Sequence, residues 1–263
     1  MGEPDSRSLP WPLFLSELVG TALLLLIGLS LVIFVLGAGS PIARLVPDEG
    51  WRRALTGFLF GGLGALIALS PIGRESGAHI NPVVTLAFRL MGKMDSRTAL
   101  GYVAAQLLGA CVGVLPLLAW GSMGRSVAFG ATVPGAGYRT GTVLMGEAST
   151  TFLLIAGLCV FLGFRGLRPF TPALFPFLYA AMVYVEAPLS GTSTNPARSL
   201  GPAVLSGEWR GWWVYWVGPL AGTLAAVVAC SFLAKRIAVA KIYHFDSDAH
   251  RVFHRVSSLA ART

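Results

Sequence analysis

The chain has 263 residues, of which hydrophobic types make up 54% and charged types 12%, with a formal net charge of +8 and a mean hydropathy of +0.69. That balance excludes an ordinary soluble domain, in which roughly a quarter of the residues are charged. The cationic excess is spread over short connecting segments and the C-terminal end, so its distribution points away from nucleic acid as a partner.

Taken in chain order, apolar runs long enough to cross a hydrocarbon core of roughly 30 Å cover residues 13–36, 54–69, 99–120, 142–163, 173–189 and 212–234. Six membrane-spanning helices are therefore expected, making an all-α membrane protein. Residues 1–12 lack the basic region, short apolar core and small-residue cleavage site of a secretory signal, so no leader is expected to be removed. The first span carries an acid near its head, Glu17. Between the second and third spans lies Ser76-Gly77-Ala78-His79-Ile80-Asn81-Pro82-Val83-Val84-Thr85. The fourth span again carries an acid, Glu147, and between the fifth and sixth lies Ser190-Gly191-Thr192-Ser193-Thr194-Asn195-Pro196-Ala197-Arg198-Ser199. Cys111, Cys159 and Cys230 all fall inside predicted spans without metal-ligand spacing, and are read as packing residues. The end of the chain, 235–263, is basic and holds His244, His250 and His254; it is read as a solvated, lipid-facing tail.

Charge is asymmetric across the spans. Arg7, Arg74, Arg89, Lys93, Arg97, Arg165, Arg168, Lys235, Arg236, Lys241, Arg251, Arg255 and Arg262 fall on one side, against Arg44, Arg52, Arg53, Arg125, Arg139 and Arg210 on the other. The positive-inside rule then puts both termini in the cytoplasm.

One Asn-Pro is an ordinary helix cap. Two copies in matching positions, each in a Ser-Gly-led loop, are an internal repeat. A second landmark supports it: Gln106-Leu107-Leu108-Gly109 after the first loop and Pro219-Leu220-Ala221-Gly222 after the second. Each half, residues 13–120 and about 140–234, holds three spans and one half-length helix. Three being odd, the second half is inverted relative to the first, with the working site near the midplane. Irregular backbone at membrane depth is tolerated where it lines a watery path or is buried in protein. Asn81 and Asn195 are expected as N-caps, with Pro82 and Pro196 at the first helical position, so that the positive ends of two half-helices face each other.

With these motifs in place, the sequence from residue 13 to 234 resembles the major intrinsic protein family, the aquaporins and aquaglyceroporins. The second family signature is intact at Asn195-Pro196-Ala197-Arg198, while the first reads Asn81-Pro82-Val83, valine standing for the usual alanine. The resemblance implies a channel domain over 13–234, with a cytoplasmic segment 1–12 before it and the tail 235–263 after it. It also implies a homotetramer with one pore per subunit in the plasma membrane and no cofactor. Glu17 and Glu147 would accept hydrogen bonds from loop N–H groups, the alternative for such buried acids being a proton relay. His79 stands where the family has a loop histidine, either a brace or a pH-sensitive gate. Carbonyls of Gly77, Ala78, His79, Gly191, Thr192 and Ser193 would line the path. The amides of Asn81 and Asn195 would orient water and, with the helix dipoles, repel cations and break the proton wire.

The family's outer constriction maps onto Arg198, Val183 and Thr192, with its fourth member at Gly61 by counting from Asn81 or at Phe60 by aligning the local pair. Val183 in place of a histidine suggests a wider, less polar mouth, as in the nodulin-like branch that passes glycerol and metalloid hydroxides. Ser199, Ala203 and Tyr215-Trp216 resemble water-type members. Water is the expected substrate, with small neutral solutes as the alternative. A coupled transporter needs charges that change partner between states, whereas Glu17, Glu147, Glu186 and Arg198 are nearly all the charges the spans hold. An enzyme is not expected: Ser76, Ser190 and Ser193 have no histidine placed to activate them, and the glycines 57, 61, 62 and 64 lack a following Lys-Ser and suit helix packing.

Overall fold

The computed structural model describes residues 9–248, 250, 252 and 253; Arg7, Arg251, Arg255, Arg262 and His254 lie outside them. Among the described residues the fold is entirely helical. Six long helices and two short ones set the architecture: α1 (Trp11–Leu36), α2 (Glu49–Leu69), α3 (Pro82–Leu90), α4 (Ser96–Val114), α5 (Thr140–Gly163), α6 (Thr171–Ser190), α7 (Pro196–Ser206) and α8 (Val214–Ala229). The first, second, fourth, fifth and sixth of these match apolar stretches of membrane-crossing length. Helix α8, expected over 212–234, has 16 residues, about 24 Å at 1.5 Å per residue, and the turn Ser231–Ala234 extends it.

The repeat is visible in the packing. Helix α1 pairs with α4 and α5 with α8, while α2 and α6 pair across the two halves. Half-helix α3 lies against α8 as well as α4, and half-helix α7 packs mainly on α4 of the other half. Each half therefore completes the other. Large apolar side chains such as Leu100, Phe177, Val185 and Val228 stay exposed on the outside, while Glu17, Gln106, Glu147 and Arg198 are buried inside. Polar groups inside and apolar groups outside is the arrangement a bilayer demands.

Two glycines allow the close pairs. A Cβ on Gly109 of α4 would sit 2.3 Å from the carbonyl oxygen of Leu18 in α1, and one on Gly222 of α8 would sit 2.2 Å from that of Ala148 in α5. Both carbonyls belong to the residue just after a buried acid, Glu17 or Glu147, so the same contact occurs once per half. Gly222→Ala is expected to push α5 and α8 apart at a cost of about 1–3 kcal/mol. Thermal unfolding of the detergent-solubilised protein reads this as a lowered midpoint. Gly141→Ala, whose added Cβ meets nothing within 4 Å, is the control that leaves the midpoint in place.

Candidate functional site

The site is built by two loops that run back into the bundle. Gly77 and Gly191 close the preceding helices in the left-handed region (φ 91° and 86°). Ala78, Ile80, Thr192 and Thr194 also have positive φ, 51°, 42°, 52° and 52°. For residues with a Cβ, and above all β-branched ones, that region costs about 1–2 kcal/mol each. The same conformation in both loops, with different side chains, means that the surroundings impose it.

Glu17 and Glu147 are those surroundings. Glu17 Oε1 accepts Ser76 Oγ–H at 2.6 Å and His79 N–H at 3.0 Å, and its Oε2 accepts Ile80 N–H at 2.7 Å and Gln106 Nε2–H at 2.8 Å. Glu147 repeats the pattern: Oε1 accepts Ser190 Oγ–H and Ser193 N–H (2.7 Å), and Oε2 accepts Thr194 N–H at 3.0 Å. Where the first half has Gln106 as fourth donor, the second has Pro219. Tyr102 and Tyr215 donate their hydroxyls to the carbonyls of Ser76 and Ser190 at 2.8 and 2.9 Å, pinning each loop where it leaves its helix. Gln106 also reaches Thr85 Oγ1 (2.9 Å), which meets His79 Nδ1 at 3.1 Å. The His79 ring stacks on Phe88 with centroids 4.7 Å apart, and its Nε2 lies 2.9 Å from the Ala240 carbonyl. His79 is thus bonded at both ring nitrogens.

Asn81 caps α3 by accepting Val83 N–H at 3.0 Å, and Asn195 caps α7 by accepting Ala197 and Arg198 N–H at 3.0 and 3.3 Å. Each amide also crosses to the other loop: Asn81 Nδ2 donates to Thr194 O at 2.9 Å and Asn195 Nδ2 to Ile80 O at 3.0 Å. Pro82 and Pro196 stand at the first helical position, and Val83 and Ala197 are fully buried between the tips. The second N–H of each amide remains for a molecule in the path.

A cavity of about 410 Å³ leads in from one end, lined by Arg52, Arg53, Phe60, Val183, Thr192 and Arg198 among others. Arg198 Nη1 donates to Gly130 O at 2.6 Å, and its Cζ lies 5.9 Å from the centre of the Phe60 ring. Gly191 and Ser193 also line this cavity. Past the Phe60 ring, which borders both, a smaller space of about 50 Å³ is bounded by Phe60, Gly61, Ala78, His79, Ile80, Asn81, Tyr179, Asn195 and Ile242. Tyr179 borders both spaces and its hydroxyl meets Thr194 Oγ1 at 2.8 Å.

Of the two positions left open for the fourth member, Phe60 lies beside Arg198, whereas Gly61 faces α6, where a Cβ would fall 2.5 Å from the Phe175 carbonyl oxygen. Two expectations need correction. The Gly77 carbonyl accepts the N–H of Ile242 at 3.2 Å instead of lining the path, because the chain end packs beneath it. That same packing overturns the solvated tail: Ile237, Val239, Ala240, Lys241 and Ile242 are buried. His244 Nε2 lies 3.0 Å from Leu69 O, and His250 pairs with Glu75.

Sequence reasoning also missed Tyr102, Tyr179, Ser76 and Ser190 as supports and gave Glu186 no role. Glu186 is buried and accepts Thr192 Oγ1–H at 2.5 Å, while its other oxygen has no partner.

Residues 6–230 match the sequence profile of the family described as Major intrinsic protein. The chain belongs to the major intrinsic protein family. It is 35% identical to the lens fiber major intrinsic protein of Gallus gallus over 83% of this chain and 79% of that one. It is 32% identical to aquaporin A of Dictyostelium discoideum over 86% of this chain and 80% of that one. Among solved structures, the aquaglyceroporin from Plasmodium falciparum superposes with a TM-score of 0.65 at 22% identity, covering 86% of this chain and 96% of that one. The last likeness speaks to fold alone. Membership in the major intrinsic protein family makes this a multi-pass membrane channel.

Proposed function

We propose that the chain is a passive water channel that excludes ions and protons, and that the wall formed by Phe60, Val183, Thr192 and Arg198 is its selectivity filter. The observation that carries this reading is the Phe60 ring beside the buried Arg198 guanidinium, 5.9 Å from ring centre to Cζ. A ring there occupies the volume a carbon backbone would need, while the guanidinium and the loop carbonyls offer water replacement hydrogen bonds. At the midplane, Asn81 and Asn195 each keep one amide N–H for the water oxygen. The facing positive ends of α3 and α7 then turn neighbouring waters in opposite directions. Glu17 and Glu147 serve as acceptors that hold the loops, with all their donors local. The subunit is proposed to work in a homotetramer in the plasma membrane with both termini in the cytoplasm.

Val183 favours a second reading, a facilitator for glycerol or metalloid hydroxides, because an isopropyl group offers the alkyl face of a polyol an apolar surface. Phe60→Ala separates the two. In proteoliposomes assayed by stopped-flow light scattering, removing the ring is expected to raise glycerol flux about tenfold relative to water flux, a barrier change of about 1.4 kcal/mol. A glycerol-to-water ratio that stays where it was would mean that this wall does not select. Gly61→Trp is not a usable partner test, since no side chain fits against Phe175 O.

A further inference from the structure

We propose that residues 237–242 form a built-in plug that closes the inner mouth of the conduit, with the Ile242 side chain as its stopper and Lys241 as its latch. This deepens the channel reading and rests on it. After α8 and the turn Ser231–Ala234, the chain returns to the first Asn-Pro loop, where residues 240 and 242 meet His79 and Gly77. Ile237, Val239 and Ala240 are buried, and Ile242 retains 4% of its surface. Ile242 lines the inner space together with His79, Asn81 and Asn195. An apolar side chain thus faces the hydrogen-bonding groups that would hold the single file of water.

The contrast between the two ends is the second observation. The outer space measures about 410 Å³ and the inner about 50 Å³, room for roughly three waters at about 15 Å³ each. A pore that supplies acceptors down to the midplane and then meets isoleucine loses its water contacts there, and hydrophobic constrictions gate by excluding water.

The third observation is how the segment is held. Ile242 N–H donates to Gly77 O at 3.2 Å, and the Ala240 carbonyl meets His79 Nε2 at 2.9 Å. The Lys241 ammonium donates to the carbonyls of Arg74 and Glu75 and to Ser247 Oγ, and lies 5.4 Å from the Phe253 ring centre. Arg74 and Glu75 belong to the turn Pro71–Ser76 that leads into the loop. His250 adds a pair with Glu75, and His244 lies beside Leu69 O. A buried ammonium is costly unless its hydrogens are spent on oxygens, so the latch ties the stopper to the loop it blocks. The segment is held both by these polar bonds and by the buried side chains of Ile237, Val239, Ala240 and Ile242, with no helix or strand in residues 235–242. Its release is therefore a local opening that breaks these contacts while the transmembrane helices stay packed.

The test compares the full chain, Ile242→Ala, Ile242→Phe, Lys241→Met and a chain ending at residue 236. Each is purified as a monodisperse species, reconstituted at equal density and assayed for water flux. Ile242→Ala keeps the backbone bonds to Gly77 and His79, so it alters the stopper alone. It and the shortened chain are expected to raise flux per channel about tenfold, Lys241→Met to raise it less, and Ile242→Phe to lower it. If the segment only braces the loop, Ile242→Ala and Lys241→Met will lower the thermal midpoint and leave flux unchanged or reduced, which overturns the plug. Equal, channel-like flux from all five also overturns it and leaves the water channel standing. Flux no greater than that of protein-free vesicles in every variant overturns both readings together.

Discussion

Glu147→Leu is expected to leave no folded channel at ordinary expression temperature. The leucine removes the acceptor of Ser190 Oγ–H, Ser193 N–H and Thr194 N–H together. All three residues are buried. Each stranded donor costs about 1–3 kcal/mol. The loop must also hold Thr192 and Thr194 at positive φ, a further cost of about 1–2 kcal/mol each that the carboxylate bonds offset. The total is comparable with the roughly 5–15 kcal/mol by which folded domains are stable. Glu147→Gln is the milder probe, because it keeps one carbonyl acceptor but turns an NH₂ group toward one of the loop donors. Gel filtration and thermal unfolding in detergent should rank wild type above Glu147→Gln above Glu147→Leu. Glu17→Leu strands four donors instead of three and should be at least as damaging. A Glu147→Leu protein with the wild-type midpoint and flux would show that the loop holds its shape without the acid.

Repetition made most of this site readable before any coordinates. Two Asn-Pro pairs, two Ser-Gly openings and two acids at helix heads are weak signals singly. In register they imply an inverted pair of half-helices, and the family profile with the helix pairing agrees. Tyr102 and Tyr215 followed the same repeat and were open to the same argument. Tyr215 was noted only for its likeness to water-type members and Tyr102 not at all; their pinning role was missed because a tyrosine in an apolar span reads as packing until its hydroxyl has a carbonyl to meet. The Phe60 register was out of reach for a different reason. One residue turns a helix face by about 100°, and only the Phe175 backbone pressed against Gly61 decides which neighbour looks inward. The tail was misread through its charge. Its Lys and Arg residues suggested solvent, while the apolar Ile237, Val239 and Ile242 between them carried the opposite signal, a segment that buries one side of itself.

On the proposed reading of a water path, Asn195→Asp is expected to make it a leaky cation path. The substitution nearly preserves shape and keeps the capping oxygen that accepts Ala197 and Arg198 N–H. A negative charge at a helix N-terminus is itself favourable by about 0.3–1 kcal/mol, so the variant should still fold. What changes is the other half of the side chain. Nδ2–H, which donates to Ile80 O at 3.0 Å, becomes an oxygen facing an oxygen. That removes the tie between the two loops and the donor offered to passing water. The site that two helix ends had made positive now holds a carboxylate, which attracts the cations the dipoles repelled. Planar bilayer recordings should show cation current absent from wild type, and stopped-flow assays should show water flux reduced about tenfold. Asn81→Asp should reproduce both effects, since Asn81 Nδ2 makes the equivalent bond to Thr194 O at 2.9 Å. If Asn195→Asp passes no cations and leaves water flux intact, then Asn195 is a helix cap and nothing more, and ion exclusion has to be sought at Arg198.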